Sequence, residues 1–522
     1  MTQTDQERGV ALVLALFLMS AMSVLAASLM FLSQTETYAS MNYRMMSQAR
    51  YAAESGVQKT ANFLLDSAQY AVPGGGGDPL TAYVTTGSPV TYNGQAVTLS
   101  GVDAAASNYP VAAVKTAFFN AAHGTLSAGT ASVSYNAVAK LVSMQQFDAY
   151  GGGQSVVQTW EITGTGALGG ARNAAVQVVA IIETPKVPAS SYATFATDPN
   201  CGAIEFQGNV TINSYDSSAV DPGTGNPYTT PQTTGSGGNV GTNGNLSIGG
   251  SVNVQGNLST PRTGVGSCSA NAVDALTESG NATVTGSIVQ LPSAVAYPSP
   301  SVPSPATIAA QNISTTTSAC SALGLTASSC TTSGDDIIID GAGATLSMPS
   351  VSLTSHVNIV LVARSPAAQY NFNSISLAGG SSISIKATSA AQGVLVGIVG
   401  KDNSGAAIGT PIDFTGGTFA GANTCASCTA VPSISKYDAS MLQFLYGGSG
   451  AINMKGNSAA AATFYAPNAT VTFGGTDDLY GSVLGKKMIE TGNGNIHYDR
   501  RLGHDFYVKG NPLASSFSWK KS

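Results

Sequence analysis

The sequence predicts an α+β chain that is mostly β: a long N-terminal helix with a membrane-length apolar start, a small α/β head, and a large β-solenoid. Three observations predict it. Val10–Leu32 is a run of 23 residues without a charge. No proline interrupts the chain before Pro73. Between Asn239 and Thr260 the text falls into hexads with apolar residues in phase.

At about 1.5 Å per residue the apolar run spans roughly 35 Å, enough to cross a hydrocarbon core about 30 Å thick. An ordinary secretory signal would end in small residues after a shorter apolar region. Here the small residue, Gly9, precedes the run, so a cut between Gly9 and Val10 removes MTQTDQERG and leaves the helix attached. Arg8, against Asp5 and Glu7, writes the membrane orientation only weakly. Beyond Leu32, Ala49, Ala52, Ala53, Gly56, Val57, Thr60, Phe63 and Leu64 recur at three-to-four spacing, so the helix is expected to run from Val10 to Ala71. Its small residues invite close approach by another element. PGGGGDP (Pro73–Pro79) ends it.

Leader, apolar run and the segment QARYAAESGVQKTANFLL from Gln48 occur in that order over residues 8–65. Together they resemble PilX-type minor pilins, with a type IV prepilin-like N-terminus, and are similar to the K-type pseudopilin of type II secretion. The resemblance implies a prepilin-type leader (1–9), prepilin peptidase cleavage between Gly9 and Val10, and a pilin-like helix (10–72) that is transmembrane over 10–32. It also implies residence in the inner membrane before assembly, then in a pilus or at the extracellular cell surface, with major and minor pilins as partners. Leu14 stands where most major pilins carry a glutamate, and Phe31 where many carry a helix-breaking proline. The missing glutamate is shared with the K-type subunits, which sit at filament tips.

Residues 80–190 read as a small α/β pilin-like domain. Val111–Ala122 has helical character, with His123 as a helix-end residue rather than a ligand. Val156–Gly166 and Ala171–Pro185 flank a glycine-rich turn at Gly166–Gly170 and read as an antiparallel hairpin. Val176, Val178, Ala180 and Ile182 alternate onto one face, with Trp160 and Ile162 opposite. That face is the expected seat for the Ala49–Leu64 stripe.

Residues 200–505 read as the β-solenoid. Gly244, Gly250 and Gly256 close three hexads, with Val240, Leu246, Ile248, Val252, Val254 and Leu258 as inside positions. No such short strand can bury its apolar side alone, whereas stacked coils bury it jointly. Tyr297–Thr307 is proline-rich and is expected to strap the outside. Strand signals resume after it, including the fully apolar IVLVA and VLVGIVG. The closing segment Ala451–Leu502, with "YAPNA", "YGSVLGK" and "HYD", resembles an uncharacterised β-helical surface domain that recurs behind prepilin-like N-termini. This second resemblance names a fold and no activity. Residues 506–522 read as a basic C-terminal tail; seven Lys/Arg against three Asp/Glu lie between Lys486 and Ser522.

Only 9% of residues are charged and the net charge is −6, which gives no support for nucleic-acid binding. The cysteines, Cys201, Cys268, Cys320, Cys330, Cys425 and Cys428, all follow the membrane segment and fit disulfides in an oxidising compartment. Neighbourhood favours the pairs 201–268, 320–330 and 425–428. Cys425-Ala-Ser-Cys428 sits in a Gly/Ala/Thr loop without a second ligand pair, so a loop disulfide is preferred to redox or zinc chemistry. Enzyme sites on such folds need paired carboxylates, or carboxylates holding Ca²⁺ beside a Lys or Arg base. Asp335, Asp336 and Asp340, and Asp477 with Asp478, are the candidates, and turn or strand-end solvation is the better reading of both groups. Acidic turns of this kind supply oxygen ligands to a structural Ca²⁺. No enzyme, catalytic residue or cofactor is expected. The expectation is a structural and adhesive minor pilin-like surface protein at the tip of a type IV pilus or related filament, involved in assembly or attachment, with a surface or polysaccharide ligand. The alternatives are a membrane-anchored surface protein that never enters a filament and, behind it, a β-helical polysaccharide-active enzyme.

Overall fold

The structure, a computed structural model, describes residues 4–65, 70, 80–128, 131–148, 150, 154–169, 173–455, 460–476, 478–510 and 513–521. The breaker run Pro73–Pro79, the expected helix end at Ala71, the hairpin tip at Gly170 and Asp477 lie outside the described residues. The chain divides into two compact units, one of Met1–Gln146, Val156–Pro185 and Pro512–Ser522, the other of Phe147–Ser155 and Lys186–Asn511.

In the first unit a single helix, α1, covers Thr4–Leu65, 62 residues or about 93 Å of rise. The head's sheet is built from β1 (Thr98–Ser100), β2 (Ala131–Asp148), β3 (Gln154–Leu168) and β4 (Ala174–Glu183), in that spatial order. β3 and β4 pair antiparallel, with Trp160 opposite Ile182 and Ile162 opposite Ala180. β4 alternates strictly between buried residues and half-buried ones up to the exposed Glu183 at its end, as a strand with one core face must. α2 (Ala112–Ala122) buries Val114, Phe118 and Ala122, and the Phe118 ring meets Phe63 of α1 edge-on at 5.4 Å. His123 ends α2, with Nδ1 at the Phe119 carbonyl.

Within the segment 506–522, expected as a tail, two stretches are strands instead. Leu513–Lys521 adds antiparallel to β4, from Leu513 opposite Glu183 to Lys521 opposite Val176. Tyr507–Lys509 pairs with Lys186–Pro188. The physical reason is that β4 would otherwise offer an open row of backbone groups, which a late strand satisfies whatever its side chains.

The second unit is dominated by parallel pairing. Each hexad of 239–260 contributes one short strand, and Val240 lies over Leu258, so three hexads complete one turn of chain. All six inside positions named above are buried. Gly208, Gly250 and Gly280 occupy the same corner on successive levels at φ between +68° and +107°, where a side chain would be strained. A Cβ on Gly250 would meet the Gly208 carbonyl oxygen at 2.7 Å. The asparagines form their own ladder: Asn239 Oδ1 accepts from Asn257 N, and Asn257 Oδ1 from Ser287 N, both at 2.9 Å.

The order of levels does not follow the chain. Strands Thr194–Ala196, Ile204–Phe206 and Thr211–Tyr215 pair on one side with the 240–254 level and on the other with Asp478–Glu490 and Asn495–Asp499. The chain thus begins mid-stack and winds out to Ile288–Gln290. It resumes at the opposite end with Gln311–Ile313 and winds back to meet its own start. Residues 297–307 make the return journey. Pro298 O accepts from Tyr465 Oη at 2.7 Å, Ser299 Oγ from Asn468 Nδ2 at 2.7 Å, and Ala306 is held by both amide atoms of Asn373. The strap therefore crosses level after level on the outside.

A second, smaller sheet in this unit includes three parallel neighbours, β5 (Asp336–Ile339), β6 (Asn358–Val362) and β7 (Ser382–Lys386).

Candidate functional site

The first candidate surface is α1 itself. From Val10 to Leu32 its side chains are exposed throughout, including Leu14 and Phe31, and Phe17 is 75% exposed. So broad an apolar surface on one helix is stable only against lipid or other protein. Gly9 and Val10, the expected cleavage pair, lie within the helical span. Beyond Met45 the helix changes role: Ala49, Ala52 and Ala53 are fully buried. Gly164 and Gly166 of β3 make that possible. A Cβ on Gly166 would stand 1.9 Å from the Ala49 carbonyl oxygen and 2.6 Å from Ala53 N, and one on Gly164 would stand 2.5 Å from the Ala53 oxygen. Sequence reasoning took Gly166 for a turn residue; it lies inside β3 and serves helix docking.

The acids of the second unit are separated by the strand they flank. Asp336 and Asp340 bracket β5, about 13 Å apart at strand rise. The buried Asp336 carboxylate accepts from Ser427 N at 2.8 Å and from Asn358 Nδ2 at 3.1 Å. It anchors the loop closed by Cys425–Cys428. Asp340 pairs with Arg364, whose hydrogen bond holds its carboxyl below the usual carboxylate range. Asp335 is exposed, and its backbone carbonyl accepts from Asn358 N at 2.8 Å. Asp478 accepts from Asn495 Nδ2 at 2.8 Å and lies 3.8 Å from His497 Nε2, and that histidine holds its carboxyl low. Among the described residues no group of three His, Cys, Asp or Glu is placed to hold a metal ion. The cysteines form the bonds 201–268, 320–330 and 425–428.

Sequence reasoning missed one polar cluster. Asp438 and Asp499 are both buried; Arg501 Nη1 donates to Asp438 Oδ2 at 2.6 Å. Asp499 Oδ1 accepts from Ser217 N at 3.1 Å and Arg501 N at 3.2 Å, while its Oδ2 has no hydrogen-bond partner among the described residues. Burial pushes the Asp499 carboxyl up to about 6. Tyr215, whose hydroxyl donates to Tyr437 O, is raised by burial as well. The available signal was the charged string His497-Tyr498-Asp499-Arg500-Arg501 in a chain otherwise poor in charge.

The comparisons with known proteins fall on both units. The family model described as a domain of unknown function (DUF7305) matches residues 414–504, which hold Asp438, Asp478 and Asp499. No curated protein matches the chain. The crystal structure of the competence-associated pilin ComZ from Thermus thermophilus aligns over 92% of this chain and 98% of that one, at 13% identity and a TM-score of 0.28. The PilX N-terminal family model matches residues 8–58, which take in the apolar run and the buried Ala49–Val57 stripe. Over residues 8–58, which lie on the long helix α1, the chain is thus similar to the N-terminus of PilX-type minor pilins.

Proposed function

We propose that this protein is a minor pilin-like subunit of a type IV pilus or related filament, with a structural and adhesive role at its tip. One observation carries the reading: α1 is apolar and exposed over Val10–Leu32, yet seated on its own sheet from Ala49 onward. The first half suits membrane and then filament core; the second holds a head in place. A prepilin peptidase cut after Gly9 converts one state into the other. The parallel stack beyond residue 193 is read as a β-solenoid. Leu14 favours the tip, because a buried ammonium of a neighbouring subunit would find no carboxylate there, and leaving it unpaired costs several kcal/mol.

Mass spectrometry of the mature protein should find Val10 as its first residue, and immunogold labelling should mark one end of sheared filaments. An intact Met1, or a cut after Ala26 or Ala27, would remove the pilin reading. Labelling along the whole shaft would remove the tip placement. Absence from filaments with Val10 mature would favour the membrane-anchored alternative.

A further inference from the structure

The small sheet of the second unit carries a cleft that none of the residues above explains. It lies at the C-terminal ends of β5, β6 and β7, has a volume of about 440 Å³, and is lined by Thr331, Asp340, Arg364, Lys386, Thr388 and Gln392 among others. That volume falls within the ~300–1,000 Å³ usual for small-ligand sites. Parallel strands in register bring the charged groups together. Asp340 follows β5, Lys386 ends β7 opposite Val362 of β6, and Arg364 stands two residues beyond that valine.

The donors there are under-used. Arg364 Nη2 donates to Asp340 Oδ1 and Oδ2 at 2.7 and 2.5 Å, whereas its buried Nε has no acceptor among the described residues. Lys386 makes no ion pair among the described residues, so two cations face one carboxylate in a chain whose net charge is −6. Gln392 Oε1 accepts from Thr388 N at 2.8 Å and Thr388 Oγ1 at 3.2 Å, which orients its amide and leaves the NH₂ as a donor. Ile338, Val362 and Ala363 give the cleft an apolar floor, and the disulfide Cys320–Cys330 fixes the wall at Cys330. Cations for a carboxylate, hydroxyls and an amide for ring hydroxyls, and apolar surface for a sugar face are combined in one place.

We infer that this cleft binds an acidic saccharide, with Lys386 and the half-exposed Arg364 guanidinium taking a uronate carboxylate. The inference rests on the adhesive reading above and names its ligand class. The test is calorimetric titration of the full chain in detergent with a galacturonate hexamer, with neutral maltohexaose and with sodium phosphate. The hexamer should bind, its affinity falling with added salt, and maltohexaose should not. Lys386→Ala and Arg364→Lys should each weaken binding about tenfold, the loss expected for one hydrogen bond to a charged group. Thr331→Trp, at an exposed strand position lining the cleft, should block it without touching the ion pair. Hexamer binding that is absent, or unchanged in all three variants, would overturn the assignment. So would phosphate that displaces the hexamer at equal charge, since that marks a simple anion patch. Filament labelling is independent of these titrations, so the cleft can fail while the minor-pilin reading stands.

Discussion

Asp499 gives the sharpest test of how the second unit is held together. Its carboxyl is buried, one oxygen has no hydrogen-bond partner among the described residues, and Asp438 adds a second acid nearby; burial is the largest of the effects that push it from an ordinary 3.8 up to about 6. A shift of that size disfavours the ionised form by about 3 kcal/mol. The sign follows from where the proton is held more tightly. The folded state keeps it up to about pH 6, whereas the unfolded chain releases it near 4. Stability linked to this proton is therefore complete below pH 4, is lost as the pH rises from 4 to 6, and stays absent above. Asp340 and Asp478 act in the opposite sense: their ionised forms are favoured by folding, so they lose stability only below about pH 4. The two windows do not overlap. In Asp499→Asn, Oδ1 remains to accept from Ser217 and Arg501, and nothing titrates. Urea unfolding of the full chain in detergent, followed by far-ultraviolet circular dichroism between pH 4 and 7.5, should show the wild type losing about 3 kcal/mol. The variant should lose less by that amount. Parallel curves for the two proteins would refute the assignment of a buried, proton-holding Asp499.

Other consequences are equally direct. Gly166→Ala places a methyl group on the Ala49 carbonyl, so the head should lose about 1–3 kcal/mol or release α1, read from thermal unfolding and from Trp160 fluorescence; unfolding indistinguishable from wild type would show that α1 is not seated there. Asn373→Ala removes both bonds to Ala306 at a cost of about 1–3 kcal/mol, and hydrogen exchange should rise over 300–307 but not in the distant 240–260 level. Non-reducing peptide mapping should return the pairs 201–268, 320–330 and 425–428 with no free thiol, and a reduced Cys425–Cys428 would reopen the redox reading of that loop.

What could be foreseen from the text was whatever repeats or alternates. The helix is written in its spacing, the β3–β4 pairing in the alternation of Val176–Ile182, and the buried positions of 240–258 in the hexads, because one periodicity fixes each of them locally. Gly166 was misplaced because a glycine that ends a strand and one that admits a helix look alike without the partner. The strand at Leu513–Lys521 was invisible because an edge elsewhere recruits it, not its own pattern. The acids of DDIIID were legible as acids but not as partners. Their roles depend on Ser427 and Arg364, which arrive from far along the chain.

The mid-stack start of the second unit has a consequence for synthesis. The level formed by 194–215 emerges early, and its first neighbour, 240–254, follows at once. Its other neighbour, 478–499, is made last, after an excursion of well over two hundred residues. Throughout that interval one edge of a short parallel sheet stands open, and open edges are where foreign strands add. A nascent chain stalled anywhere between these points holds an unsealed seam. Closing the seam joins the level where the first half began to the level where the second half ends, so a lost or slipped level in the second half leaves the final rung without its register. Export across a membrane before translation ends would move that vulnerable stage into a compartment where the disulfide at Cys201–Cys268 can already tether the early edge.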